Sequence, residues 1–253
     1  MTLQEYYGFP KNVPVSIVQP NYFDTLGDGV PLPTKLDSAY KSNTRMGVCK
    51  PLDTSNVTSM NNTFNGCTGL STIPPLDTSN VTDMSYMFNG CENLVAIPPL
   101  DTSNVTTMNS TFYGCKNLVT IPPLDTSNVV TMQGMCNGCE NLVAIPPLDY
   151  SKINSDYNTR LLQTYSSTGY PLLTDIGGFI NMKYSWNDTN GLPRCPNLTY
   201  ESCINILNGL YDFTGNGQTP TSTQGKLKVH ANFLTKVGDE ISIGTNKGWT
   251  ITA

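Results

Sequence analysis

The chain has 253 residues, of which only 13% are charged, and its net charge is −5. Because a weakly charged, acidic chain repels phosphate backbones, nucleic acid is excluded as an expected partner. No stretch approaches the roughly 18–20 consecutive apolar residues that span a bilayer, so the sequence predicts no membrane insertion. The first residues lack the basic region and the apolar core of a secretory signal, which predicts that the chain stays in its cell or leaves by another route.

Residues 1–48 carry no repeat and are rich in proline and aromatic side chains. They form either a cap folded over the first repeat or an extended arm that docks on another subunit, and the sequence leaves both open. Prolines preset an extended chain and aromatic side chains anchor interfaces, which is the argument for the arm. Its aromatic residues are Tyr6, Tyr7, Phe9, Tyr22 and Phe23.

Residues 49–173 contain a sequence that recurs with a 24-residue period. A fixed period of this length is typical of a solenoid, in which each copy forms one coil and packs on the next. Residues 52–147 include seven acidic side chains and one basic one, so this region carries −6 and the rest of the chain +1. The string LDTSNV begins at Leu52, Leu76, Leu100 and Leu124, and a degenerate fifth copy begins at Leu148.

The large apolar residues of a copy are spaced by three or four, which is neither a sustained helical period nor strand alternation. This spacing predicts a coil that turns around a central core and points one side chain inward from each side. Strands are expected at residues 70–73, 94–97 and 118–121, where the following prolines should end them. The inward residues of the first copy are Val57, Met60, Phe64, Cys67, Leu70, Ile73 and Leu76.

Four of the eight cysteines occupy the same position in successive copies: Cys67, Cys91, Cys115 and Cys139. The repeat predicts a column of small, buried, reduced thiols. Cys136 and Cys139 form a CxxC pair, but Cys136 stands where the other copies carry phenylalanine and is interpreted as a smaller core residue. With a single histidine and no second CxxC pair, neither a zinc site nor a cofactor is expected.

An aspartate opens each copy, and in four copies an asparagine follows three residues later. We expect the aspartates to cap turns and the asparagines to bond neighbouring copies. A bound cation is the alternative, but calcium needs several oxygens that converge on one point, whereas one carboxylate per copy forms a line. The residues are Asp53, Asp77, Asp101, Asp125 and Asp149, with Asn56, Asn80, Asn104 and Asn128.

Residues 174–253 alternate helix and strand in their sequence pattern. Gly238 and Gly244 interrupt the second helix, and the order of elements predicts two larger coils that form an α/β cap with Trp249 over the core. The predicted elements are a helix with its N-cap near Thr199, a strand at 226–230, a weaker helix at 233–247 and a strand at 249–252. The first helix is expected to present one face made of Ile204, Leu207, Leu210 and Tyr211.

Several sequence motifs of the repeat resemble those of a known family. The first copy contains Phe64-x-x-Cys67-x-x-Leu70-x-x-Ile73-x-Pro75, and residues 84–91 read MSYMFNGC. Residues 52–147 resemble the BspA-like leucine-rich repeats of bacterial surface proteins, of the LDTSNVT and MFxGC type. The resemblance implies an α/β repeat solenoid, a leucine-rich-repeat-like right-handed coil with short parallel strands. Such repeats occur in adhesive proteins of gut and oral bacteria and in structural proteins of their phages, without a catalytic residue set.

Three functional hypotheses follow. The first is a non-enzymatic phage virion component (a fibre, tail or capsid decoration) that contacts other virion subunits through its N-terminal arm and a host-surface glycan or protein through its repeats. The second is a bacterial cell-surface adhesin and the third an intracellular interaction scaffold, and a homo-oligomer fits each of them. An enzyme is not expected, because catalytic carboxylates need environments that separate their pKa values, whereas these aspartates occupy equivalent positions.

The side chains between the core residues of the expected strands are the candidate binding face. They are small and include no aromatic platform, so a tight sugar site is not expected there. Tyr86 and Tyr113 differ between otherwise similar copies and are either contact residues or partly buried packing residues. The candidate face consists of Ser71, Thr72, Val95, Ala96, Val119, Thr120, Val143 and Ala144.

Overall fold

Neighbouring copies of the repeat lie side by side and are joined by parallel backbone hydrogen bonds. The structure is a computed structural model that describes residues 34–49, 51–154, 161–162, 169–183, 192–221 and 224–253. Single parallel bridges join equivalent residues of successive copies, such as Ser59 with Asp83 and Asp83 with Thr107. The amides of alternating residues then donate to the following copy at 2.7 to 3.1 Å, as at Met84, Tyr86, Phe88 and Gly90.

This hydrogen-bond ladder begins before the repeat becomes recognisable in the sequence. The amides of Leu36 and Tyr40 donate to the carbonyls of Ser59 and Thr63 at 3.0 and 2.8 Å, and both side chains are buried. Residues 34–49 therefore form an additional, degenerate copy, and we call residues 34–49 and 51–154 together the repeat stack. The remainder of the expected N-terminal arm, including all of its named aromatic residues, lies outside the described residues.

One apolar core runs through the repeat stack because each copy sends the same side chains inward. All seven inward residues expected in the first copy are buried, which confirms that part of the prediction. The rings of Tyr40, Phe64, Phe88 and Phe112 form a column with successive centroid distances of 5.3, 5.5 and 5.9 Å and planes within 8° of parallel. Stacked rings of this kind contribute contacts between each copy and its neighbours. Such contacts are needed because ordering the backbone of a copy costs ~1–2 kcal/mol of conformational entropy per residue.

Two of the strands expected within the first three copies are reduced to single bridges, and residues 94–97 form no bridge. Thr72 pairs with Val48, and Thr120 pairs with Ala144, but neither extends into a strand. The prediction of four-residue strands was therefore wrong in extent. The prolines that follow lack amide hydrogens, so the ladder stops after one or two bonds in each copy.

Two-residue strands appear where the regular repeat ends. Strand β1 (Ala144–Ile145) pairs in parallel with β3 (Asp175–Ile176), and β2 (Leu148–Asp149) pairs in parallel with β4 (Phe179–Ile180). The paired residues of these strands, such as Ala144 and Asp175, are 31 positions apart, whereas Ser59 and Asp83 of the regular copies are 24 apart. The coil that contains β3 and β4 therefore has a longer period than the regular copies.

The phenylalanine column ends at Cys136, which is fully buried as expected of a smaller core residue. Tyr170 lies beside it: its hydroxyl donates to the Cys136 carbonyl at 3.3 Å and accepts from the Gly138 amide at 3.2 Å. A buried tyrosine from the longer coil is thus hydrogen-bonded to the backbone of the copy that lacks the aromatic ring.

The C-terminal part alternates helices with two paired strands. Helix α1 begins after Thr199, whose hydroxyl accepts from the Ser202 amide at 3.1 Å, and this confirms the expected N-cap. Trp249 is buried, also as expected, and its indole nitrogen donates to the Tyr211 carbonyl at 2.9 Å. The elements are α1 (Tyr200–Asn208), β5 (Lys226–Lys228), α2 (Ala231–Val237), α3 (Ser242–Thr245) and β6 (Thr250–Thr252), with 3₁₀ turns at Leu192–Arg194 and Gly238–Ile241 and parallel pairing of β5 with β6.

Two details of the C-terminal prediction were wrong. Helix α1 buries Cys203, Ile206 and Leu207, while Ile204 is only partly buried. Gly209 ends the helix, so Leu210 and Tyr211 lie beyond it rather than on its face. The expected second helix starts earlier and breaks at Gly238 into α2, a 3₁₀ turn and α3, but Gly244 lies inside α3 and does not interrupt it.

Candidate binding surface

The eight residues of the candidate binding face lie in two adjacent columns on one side of the repeat stack, which we call the ladder face. The amides of Val95, Val119 and Val143 donate to carbonyls of the preceding copy at 3.4, 3.2 and 2.9 Å. Their neighbours Thr72, Ala96, Thr120 and Ala144 occupy the second column, where Thr120 bridges Ala144. The hydrogen bonds between copies therefore bring all eight together.

Exposure differs along the ladder face. Val95 and Val119 are exposed by 49% and 39%, whereas Ser71, Val143 and Ala144 are less exposed and half-buried. Val48, at 65%, extends the second column beyond Thr72, and the sequence pattern missed it because the copy at residues 34–49 was not recognised. The ladder face carries no charged side chain, so a partner would meet small apolar and hydroxyl groups.

Tyr86 and Tyr113 belong to a different hydrogen-bond column from the ladder face. Their side chains are exposed by 41% and 42%, so part of each ring is accessible for contact and the remainder is packed against the protein. Tyr86 has φ +58, a left-handed conformation in which the equivalent residues of neighbouring copies are Asn62 and Ser110. A tyrosine there is strained, since a side chain in this region costs roughly 1–2 kcal/mol unless it is small and polar.

The aspartates at the start of the copies cap turns, as the sequence predicts. Asp77 accepts from the amide and the hydroxyl of Ser79 at 3.0 and 2.6 Å. The hydroxyl and amide hydrogen bonds hold the pKa of Asp77 below its ordinary value of 3.8, against a weaker opposing effect from burial and from the neighbouring Asp53 and Asp101. The same arrangement recurs at Asp53, Asp101 and Asp125.

Three of the four asparagines of the repeat join neighbouring copies, which confirms the expected role for those three. The side chains of Asn80, Asn104 and Asn128 donate to carbonyls of the preceding copy at 2.7 to 2.8 Å. Across the described ranges, no three histidine, cysteine or acidic side chains form a group that would hold a metal ion.

The cysteine column consists of free, buried thiols, as predicted. Each sulfur donates to a carbonyl of the preceding copy, for example Cys91 to Phe64 at 3.1 Å and Cys115 to Phe88 at 3.1 Å. Burial raises the pKa of the Cys67 thiol to about 11 and that of Cys139 to about 12. These thiols therefore stay protonated at neutral pH and are poor nucleophiles.

Comparison with known proteins gives a match in the repeat region. Residues 34–146 match a family described as "Mycoplasma protein of unknown function, DUF285". The matched range starts with the degenerate copy at residues 34–49 and is consistent with the resemblance to BspA-like surface-protein repeats. No curated protein matches the chain, and no solved structure matches it.

Within the described part of the chain, none of the helices has the length and apolar character needed to cross a bilayer.

Proposed function

We propose that the chain is a non-enzymatic binding protein built as a leucine-rich-repeat-like solenoid with a C-terminal cap, and that its ladder face recognises another protein. The observation that carries the proposal is the run of exposed, uncharged side chains centred on Val95 and Val119. Exposed apolar patches of this kind are typical of interaction sites. A protein surface suits them better than a sugar does, because the ladder face offers no aromatic platform.

The setting that we propose is a phage particle, in which the chain is a fibre, tail or capsid decoration docked through its N-terminal segment. The acidic, lysine-poor repeats and the proline- and aromatic-rich residues 1–33 support this setting. The second candidate is a bacterial cell-surface adhesin, which the bacterial description of the matching family favours.

Mass spectrometry of a density-banded phage preparation separates the two settings. The virion proposal expects the chain in banded particles at a defined copy number. Detection in washed bacterial envelopes together with absence from particles would reject it in favour of the adhesin. Absence from both, with the chain in the soluble cell fraction, would favour an intracellular interaction scaffold.

The ladder face is tested by placing charges on it. The double variant Val95→Lys with Val119→Lys should abolish binding of the labelled full chain to cells of the source bacterium, because each lysine must be desolvated at the interface. The matched control is Tyr86→Lys with Tyr113→Lys, which alters similarly exposed side chains in the same two copies. Protease treatment of the cells should remove the binding sites, since the expected partner is a protein. Equal binding by both double variants would contradict the proposal.

A further inference from the structure

A cleft of about 550 Å³ with a mixed polar and apolar lining lies where strand β4 meets the C-terminal end of helix α1. Its lining includes Ile180 and Asn181 at the end of β4, Asn205 and Asn208 of α1, and residues 209–212. The cleft shares no residue with the ladder face, so it is a separate candidate site.

Close backbone contact fixes the floor of the cleft. A Cβ at Gly209 would stand 1.5 Å from the Phe179 carbonyl oxygen, and one at Gly178, where φ is +102, would stand 2.8 Å from the Asn205 carbonyl oxygen. Only glycine allows the end of α1 to approach β4 so closely. The lining residues therefore stand on two directly packed segments, and a preorganised site loses little entropy when a ligand binds.

Three asparagine side chains line the cleft with their polar groups open. Asn205 is half-buried and Asn181 and Asn208 are exposed, and none of the three amides has a hydrogen-bond partner among the described residues. Each amide offers two donors and one acceptor. A ligand that both donates and accepts, as a hydroxyl does, would satisfy them.

The cleft lining contains one cation and one anion, Lys247 and Asp212, and both are hydrogen-bonded to backbone groups. The Lys247 ammonium donates to the carbonyls of Asn208 and Leu210 at 2.6 and 3.2 Å, which caps the C-terminal end of α1. Burial lowers the pKa of Lys247, and the charge of Asp212 partly opposes that effect. Asp212 itself accepts from the Gly215 amide at 2.6 Å. A ligand without net charge therefore fits this lining best.

An apolar surface lies beside the open amides. Ile180 is 48% exposed and supplies most of this surface. Tyr211 is half-buried in the cleft wall, where Phe213 packs edge-on at 5.0 Å and the Lys183 ammonium lies 4.6 Å from the ring centroid on one face, so only the remainder of the ring is available. A sugar ring has an apolar C–H face and an edge of hydroxyl groups, which matches this combination. We propose that the cleft binds a neutral oligosaccharide. This site goes beyond the ladder face and does not depend on it.

The test is a titration of the ¹⁵N-labelled full chain, followed by NMR of the side-chain amides. The probes are neutral trisaccharides of glucose, galactose, mannose and N-acetylglucosamine, with a sialylated trisaccharide as the charged comparison. At least one neutral sugar should shift the Asn205 and Asn208 side-chain resonances in a saturable way. The sialylated sugar should bind no more tightly than its neutral parent.

Two variants locate the site. Asn208→Ala should weaken the binding of the sugar about tenfold, the effect of one lost hydrogen bond. Asn181→Gly should also weaken it, and glycine tolerates the local φ of +55 without strain, so a folding defect is avoided. The control Asn56→Ala, an exposed asparagine of the repeat stack, should leave the affinity unchanged.

The ladder-face variant Val95→Lys with Val119→Lys should keep full sugar binding, which separates failure of this proposal from failure of the proposed function. The proposal is overturned if no neutral sugar shifts the two amides, if only the sialylated sugar does, or if the two cleft variants bind as the parent does.

Discussion

The repeat stack and the C-terminal part are held together in different ways. In the repeat stack one set of contacts recurs from copy to copy, so that the Phe64–Phe88 and Phe88–Phe112 ring centroids lie at the similar distances of 5.5 and 5.9 Å. In the C-terminal part each contact occurs once, as with Gly209 against Phe179 or Lys247 on the end of α1. Repetition yields a uniform surface, whereas unique contacts create the cleft.

This difference predicts how many neighbouring elements a single substitution destabilises. A core change in the repeat stack removes contacts to the copies on both sides, because stability in such arrays resides in nearest-neighbour interfaces. A change in the C-terminal part should act on the packing of one helix against one strand. The following predictions test this contrast, from the largest expected effect to the smallest.

Phe88→Ala should lower the free energy of unfolding by about 3–5 kcal/mol, the usual cost of truncating a buried phenylalanine. Phe88 is fully buried and stacks on Phe64 and Phe112, so two interfaces lose their ring contact. Urea unfolding followed by circular dichroism measures the change. Tyr113→Ala, which truncates an exposed ring in the next copy, is the control and should stay within about 0.5 kcal/mol. Similar losses in both variants would argue against a continuous core.

Gly209→Ala should lower the free energy of unfolding by about 3 kcal/mol, the upper end of the usual cost of overpacking, because the added methyl group would stand 1.5 Å from the Phe179 carbonyl oxygen and the backbone must move. Limited proteolysis should show faster cleavage in the C-terminal part while the repeat stack keeps its resistance. Gly47→Ala is the matched control, since a Cβ there meets nothing within 4 Å. If the repeat stack became equally sensitive, the two regions would not be energetically distinct.

Tyr86→Asn should raise the free energy of unfolding by about 1 kcal/mol, because asparagine tolerates the left-handed conformation that strains tyrosine. Urea unfolding again provides the measurement. Tyr113→Asn serves as the control: Tyr113 is equally exposed but has no positive φ, so its replacement should have no measurable effect. A loss of stability in Tyr86→Asn would show that the tyrosine side chain makes a stabilising contact.

Acidification should destabilise the repeat stack through its turn-capping aspartates. Their folded-state pKa values lie below the ordinary value of 3.8, so their contribution is present above that value and is lost as the pH falls through the folded-state pKa. The melting temperature of the parent should therefore fall in this acidic range. A variant with Asp53, Asp77, Asp101 and Asp125 replaced by asparagine should show a shallower fall. Identical pH profiles would contradict the assigned role of the carboxylates.

The contacts that repeat were predictable from the sequence, and the unique ones were not. The period of the repeat fixes which side chains point inward and which asparagines join the copies, so Phe64 and Asn80 could be assigned their roles directly. The copy at residues 34–49 was missed because it keeps the hydrogen bonds but few of the repeat's side chains. The cleft depends on the approach of Gly209 to Phe179, which is distant in the sequence, and no local pattern encodes that contact.

Hydrogen exchange of single amides, measured by NMR, tests most directly whether each copy of the repeat stack is bonded to the next. The amides of Met84 and Phe88, which donate to the following copy at 3.1 and 2.9 Å, should exchange slowly and at similar rates. The exposed Asn80, whose backbone amide donates to no carbonyl among the described residues, should exchange fast at that amide. Exchange of Met84 and Phe88 as fast as that of Asn80 would contradict the stacked arrangement.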